Sequence, residues 1–337
     1  MAVLATDGSS GRRLAESGAA SASTIAFVTM THPTSGSYAV TNLFLMAADG
    51  RRRRRVPTPR YLDRVAWSPT GRRVVFSTAR PRVALYVADA DGSNRRRIRV
   101  RHGGFDTLTP FWSPDGRRIA FERYDDGCHA IYVMRADGSF LKRLTKRRCG
   151  GDQDLAWSPD SRRIAFTSFG GLVVMDADGR HRRPLTTDAS VMPYDNFDDK
   201  AWLPGAIFFI NRTFRGEKKP QNQEVHLFRI APDGSQLKDL TPDESRVSEF
   251  EVALDRNAIA YSSRAGVFRI DIFGNGVRQL APRGWELSLA PNSRRLAFID
   301  RRGNTVYINA INVDGSGKTN LTHSKGDACC LAWLRGR

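Results

Sequence analysis

From Met192 to Asp199 the chain reads Met-Pro-Tyr-Asp-Asn-Phe-Asp-Asp, which sets Tyr194 and Phe197 among Asp195, Asn196, Asp198 and Asp199. Asp63, Asp106, Asp152, Asp154, Glu286 and Asp327 each lie just before, or at the start of, a short apolar segment. Carboxylates gathered with aromatic rings can hold a cation, a peptide amine or a basic segment of a partner protein. The same acids serve equally well as turn caps paired with Arg101, Arg147 and Arg148, and the residues alone leave both readings open.

Few other residues offer chemistry. His102, His129 and His323 have no second His or Cys at ligand spacing, so no metal or cofactor is implied. Gly-x-Ser-x-Gly, His-Glu-x-x-His and P-loop patterns do not occur. Asp89-Ala-Asp-Gly92 and Asp176-Ala-Asp-Gly179 resemble the start of a calcium loop but lack its later ligands and terminal Glu. Binding is therefore expected rather than catalysis. A metal-assisted hydrolase or lyase at the acidic cluster is the alternative.

What must position these residues is a repeat. Ala66-Trp-Ser-Pro69, Phe111-Trp-Ser-Pro114 and Ala156-Trp-Ser-Pro159 recur at equal spacing, and Trp202 continues the series. Degenerate anchors are expected at Ala253 and Leu289, and the last anchor at Trp333. Each is followed by a turn, an apolar run such as Ile119-Ala-Phe121, a second run ending in Asp-Gly, and a basic stretch ending in Leu-Thr. Runs this short, separated by Pro, Asp and Gly turns, are strands.

Four strands per unit make a propeller blade. The expected fold is all-β, a single propeller of seven four-stranded antiparallel blades, with six or eight as alternatives. Innermost strands fall near 62–68, 107–112, 152–157, 198–203, 248–253, 284–289 and 328–333. The remaining strands of each blade begin near 24, 72, 117, 162, 205, 257 and 294. The two series are out of phase, so the C-terminal strand should complete the blade formed by residues 24–58 and close the ring. Residues 1–23 form an extension with a possible extra hairpin, and 24–337 the propeller.

The Trp-Ser-Pro-Asp-Gly, Ile-Ala-Phe, Asp-Ala-Asp-Gly and Leu-Thr elements resemble the repeats of the TolB-type, WD-repeat-like propellers. The resemblance spans about residues 24–334. It implies a scaffold that binds proteins or ligands and is often extracytoplasmic. It departs from the family in blade count, commonly six, and in lacking an N-terminal α/β domain.

Arginine dominates the charge. The 53 Lys and Arg against 35 Asp and Glu give +18, without an apolar run long enough for a membrane helix. Antiparallel strands send the turns to one face and the longer loops to the other. Arg51 to Arg55, Arg72, Arg73, Arg95 to Arg97, Arg117, Arg118, Arg162, Arg163, Arg294 and Arg295 fall on the turn face, which could attract a polyanion weakly. The acids of the opening segments are expected on the loop face, around the mouth of the central channel. A protein or peptide partner is expected there, on a monomer. No secretory leader is visible in the first residues. Counting back from the Gly138-Ser139 turn sets Cys128 opposite Cys149, a disulfide in an oxidising compartment. Cys329 and Cys330 should point to opposite sides of their strand and not bond.

Overall fold

In the computed structural model, described residues run from 24 to 334 except 32–39, 80–81, 100–107, 126–127, 146–150, 169–170, 187–191, 194–199, 215–222, 242–245, 254–256, 304, 323 and 326. They form seven antiparallel sheets and no helix. Blades 2 to 7 begin with the innermost strands Leu62–Trp67, Leu108–Trp112, Gln153–Trp157, Lys200–Leu203, Val247–Ala253 and Trp285–Leu289. Blade 1 takes its innermost strand, Asp327–Leu334, from the other end of the chain and pairs it with Thr24–Thr31. The out-of-phase repeat thus closes the ring, and Thr24–Thr31 is paired along both of its edges.

There is no single core. Seven hydrophobic clusters fill the seven seams between adjacent blades. This explains why the second strand of each blade is apolar without a break rather than alternating. In Arg73–Thr78, Val74 and Phe76 pack toward blade 1 while Val75 packs toward blade 3.

The repeated motifs are the hardware of these seams. Ser113 Oγ donates to Asp115 Oδ1 at 2.6 Å and accepts from the Arg118 N–H at 2.9 Å, locking the Ser-Pro-Asp-Gly turn. The Thr of each Leu-Thr accepts a third-strand N–H in its own blade: Thr145 from Ile131, Thr186 from Leu172, Thr241 from Leu227 and Thr322 from Ile308. The Asp-Ala-Asp-Gly segments are turns as well. Asp91 Oδ1 accepts from the Ser93 N–H and hydroxyl, which holds its carboxyl below the usual carboxylate range. Gly179, at φ 89°, sits so close to blade 3 that a Cβ would lie 3.0 Å from the Leu144 carbonyl oxygen.

The anchors bury at the seams. Trp112 Nε1 donates to the Ala66 carbonyl at 3.1 Å and Trp157 Nε1 to that of Phe111 at 3.3 Å, each reaching back one blade. One anchor shifts: Val252, not Ala253, takes the anchor position and opposes Ile259 seven residues on, as Trp67 opposes Val74 and Leu289 opposes Leu296.

Candidate binding site at the channel mouth

Innermost strands run from the loop face toward the turn face. Five of them carry an extra residue near the loop-side end; in blade 6 it is Ser248, between the pairs Val247–Ser263 and Glu249–Ser262. Residues 63–64 oppose Ser77 alone, 154–155 oppose Phe166, 286–287 oppose Phe298, and 330–331 oppose Phe27. Three of these bulges are built on a left-handed residue: Asp154 and Glu286 at φ 53°, Cys330 at φ 57°. Such a kink points successive backbone N–H groups the same way, a ready cradle for an anion.

The protein fills three of these cradles with its own carboxylates, each from the preceding blade. Glu122 Oε1 accepts the Leu155 N–H at 2.9 Å. Glu249 Oε2 accepts the Leu287 N–H at 3.3 Å, and the Glu286 N–H also points at this carboxylate. Glu286 in turn reaches into blade 1, where its Oε2 accepts the Cys330 N–H at 2.9 Å beside that of Leu331. Blades 6, 7 and 1 are thereby joined in series, and Glu286 is both held and holding.

Burial sets the protonation of this cluster. It pushes the Glu249 carboxyl up to about 7, helped by the neighbouring Glu286 charge, and raises Glu286 as well. Glu251 goes higher, to about 8, through burial and the Glu249 charge. Its surface is only half-buried, because it lines a cavity of about 510 Å³ between the inner strands of blades 1, 2, 6 and 7.

The acids expected at the mouth divide into different duties. Asp63 remains partly exposed, 3.5 Å from Arg64. Asp152 is buried and pairs with Arg182 at 3.0 Å; Arg101, Arg147 and Arg148 lie outside the described residues. Asp154 is buried at its bulge and Glu286 is the clamp just described. Asp327 begins the closing strand. Asp106, Tyr194, Asp195, Asn196, Asp198 and Asp199 lie outside the described residues, as do His102 and His323. The His129 ring lies tilted against that of Tyr124, with centroids 4.9 Å apart. Among the described residues, no three His, Cys, Asp or Glu converge as metal ligands. Glu122, Glu249 and Glu251 escape a reading based on acids that precede strands. Their signal is a Glu inside an apolar run, as in Ile119-Ala-Phe-Glu122.

The arginines of the opposite face also divide. The second of each pair stacks on the anchor of the next blade: Arg73 on Trp112 at 5.7 Å, Arg118 on Trp157 at 5.0 Å, Arg163 on Trp202 at 5.1 Å and Arg295 on Trp333 at 5.8 Å. Arg72, Arg117, Arg162 and Arg294 stay exposed.

Cys128 is disulfide-bonded; Cys149 lies outside the described residues. Cys329 and Cys330 are unbonded, as expected, but they do not face apart. The bulge at Cys330 breaks the alternation of side chains and brings its Sγ to 2.8 Å from that of Cys329.

Comparison with known proteins fits this architecture. The Tol-Pal system protein TolB of Thioalkalivibrio sulfidiphilus is 47% identical over 64 residues, 19% of this chain and 14% of that protein. The crystal structure of TolB from Acinetobacter baumannii superposes with a TM-score of 0.56 at 19% identity, covering 92% of this chain and 82% of that one. The β-propeller domain of the Trilobed protease from Pyrococcus furiosus gives 0.63 at 13% identity, covering 90% and 95%. At such identities the two superpositions speak for the fold alone. The model of the TolB beta propeller domain family matches residues 12–191, more than half of the sequence, and the chain belongs to that family.

Proposed function

We propose that the chain is a non-catalytic, monomeric propeller that binds a protein or peptide partner through its loop face and channel mouth. The observation that carries this reading is the polarity of the ring. Acids sit at the loop-side ends of the inner strands, while the exposed arginines Arg72, Arg117, Arg162 and Arg294 lie in the turns at the other face. Field lines from such a mouth draw in a basic segment and repel an acidic one. Asp63, Asp106, Asp154, Asp195, Asp198, Asp199 and Asp327 would meet it, with Tyr194 and Asn196 supplying stacking and hydrogen bonds. Asp152 and Glu286 hold the scaffold beneath. The matched relatives carry the name of Tol-Pal system proteins, which supports a protein as partner. The turn face offers a second, weaker and salt-sensitive site for polyanions.

Fluorescence anisotropy with labelled oligolysine and oligoglutamate tests the assignment. Oligolysine should bind, weaken about tenfold or more in a D63N/D195N/D198N variant, and be unaffected by R72E/R117E/R162E. Equal loss in both variants, or preference for oligoglutamate at the mouth, would sink it. A melting temperature that rises with divalent cation and falls with chelator would favour the metal-assisted enzyme instead.

A further inference from the structure

The closing strand Asp327–Leu334 carries the chain's only adjacent cysteines. In a regular strand they would face apart. Here the bulge sets both sulfur atoms on one side, 2.8 Å apart, inside the contact distance of two unbonded sulfurs, and both residues are half-buried rather than sealed. The same kink exists at Asp154 and Glu286, so the backbone geometry belongs to the blade, and only blade 1 places thiols on it.

We propose that Cys329 and Cys330 form a thiol–disulfide redox site whose oxidant is an external disulfide, R–S–S–R, of glutathione type. The Cys329 thiolate attacks one sulfur of the oxidant, the S–S bond breaks, and one RS⁻ leaves to take up a proton. Cys330 then gives up its proton and attacks Cys329 Sγ, which expels the second RS⁻. Two protein thiols are oxidised, R–S–S–R is reduced to two RSH, and both protons end on the released thiols. The order follows from the surroundings. The Cys330 thiol is held protonated by its hydrogen bond with Cys329, by burial and by Glu286, against the opposing pull of Arg64.

Adjacent residues hold their Cα atoms about 3.8 Å apart, below the roughly 4.4–6.8 Å of ordinary disulfides. The ring formed is strained and therefore more easily reduced than an ordinary bridge, which suits a reversible site. Its location gives the reaction a structural consequence. The Cys330 N–H is the group that Glu286 clamps, so oxidation acts on the seam between blades 7 and 1.

The test uses the full chain, equilibrated with glutathione and oxidised glutathione from reducing to oxidising ratios, acid-quenched, alkylated and digested with trypsin. Lys325 and Arg335 release both cysteines in one short peptide. That peptide should lose two hydrogens across the series, with a midpoint at a ratio at least tenfold more oxidising than the one that opens the Cys128 bridge. In Cys330→Ser, Cys329 should stop as a glutathione adduct. Two alkylatable thiols at every ratio, or a wild-type adduct that never closes, would overturn the proposal; the wild-type series decides even if the variant misfolds.

Discussion

The Arg118 guanidinium of blade 3 lies 5.0 Å from the centroid of the Trp157 ring in blade 4, and its Nη2 donates to the Ser161 carbonyl of the same neighbour. One side chain thus spans a seam twice. Arg118→Ala should cost about 1–2 kcal/mol, the sum expected of a partly desolvated cation–π contact and a hydrogen bond to a charged donor. Arg117→Ala, one residue earlier and exposed, should stay within about 0.5 kcal/mol. Chemical denaturation of both variants measures the difference, and equal losses would mean the stacking contributes nothing.

Glu251 gives stability a pH dependence. Its folded pKa of about 8 lies above the ordinary 4.5, so between those values the native state holds a proton that the unfolded chain releases. Stability from this group is therefore full below about pH 4.5 and falls as pH rises through 8. Glu251→Gln should match the wild type at pH 4 and exceed it at pH 9 by about 1–2 kcal/mol, discounted because Glu251 is only half-buried. Melting curves at both pH values check this, and the reverse order would exclude a raised pKa.

Ring closure has its own test. Removing residues 327–337 strips blade 1 of its innermost strand and leaves Thr24–Thr31 with an open edge. The truncated chain should lose its cooperative melt or self-associate in sedimentation. A monomer with unchanged melting temperature would mean the pairing with Thr24–Thr31 contributes nothing to closure.

The sequence shows the architecture because turns and anchors repeat: innermost strands predicted near 62–68, 152–157 and 284–289 are observed at Leu62–Trp67, Gln153–Trp157 and Trp285–Leu289. The bulges were not legible, since no residue type requires them; Asp154, Glu286 and Cys330 occupy equivalent left-handed positions with three different side chains. Without the bulges, Glu286 reads as a free ligand and Cys329 and Cys330 as neighbours facing apart. The duty of Glu122 was hidden for another reason: its partner, Leu155, belongs to the next repeat.

The partner of Cys128 is open to direct mapping. We propose Cys149, across the hairpin that turns at Gly138-Ser139. Digestion of non-reduced protein should yield one linked pair of peptides containing Cys128 and Cys149, and an alkylated Cys149 would refute the pairing.

Carboxylates at the channel mouth hold the blades together through the bulges of their neighbours. Hydrogen exchange at the Cys330 and Leu331 amides tests this most directly, in wild type and in Glu286→Ala. Loss of the carboxylate should speed exchange in the peptide spanning 326–335 by about tenfold or more while Ile119–Phe121 in blade 3 stays protected. Unchanged protection at Cys330 and Leu331 would contradict the clamp.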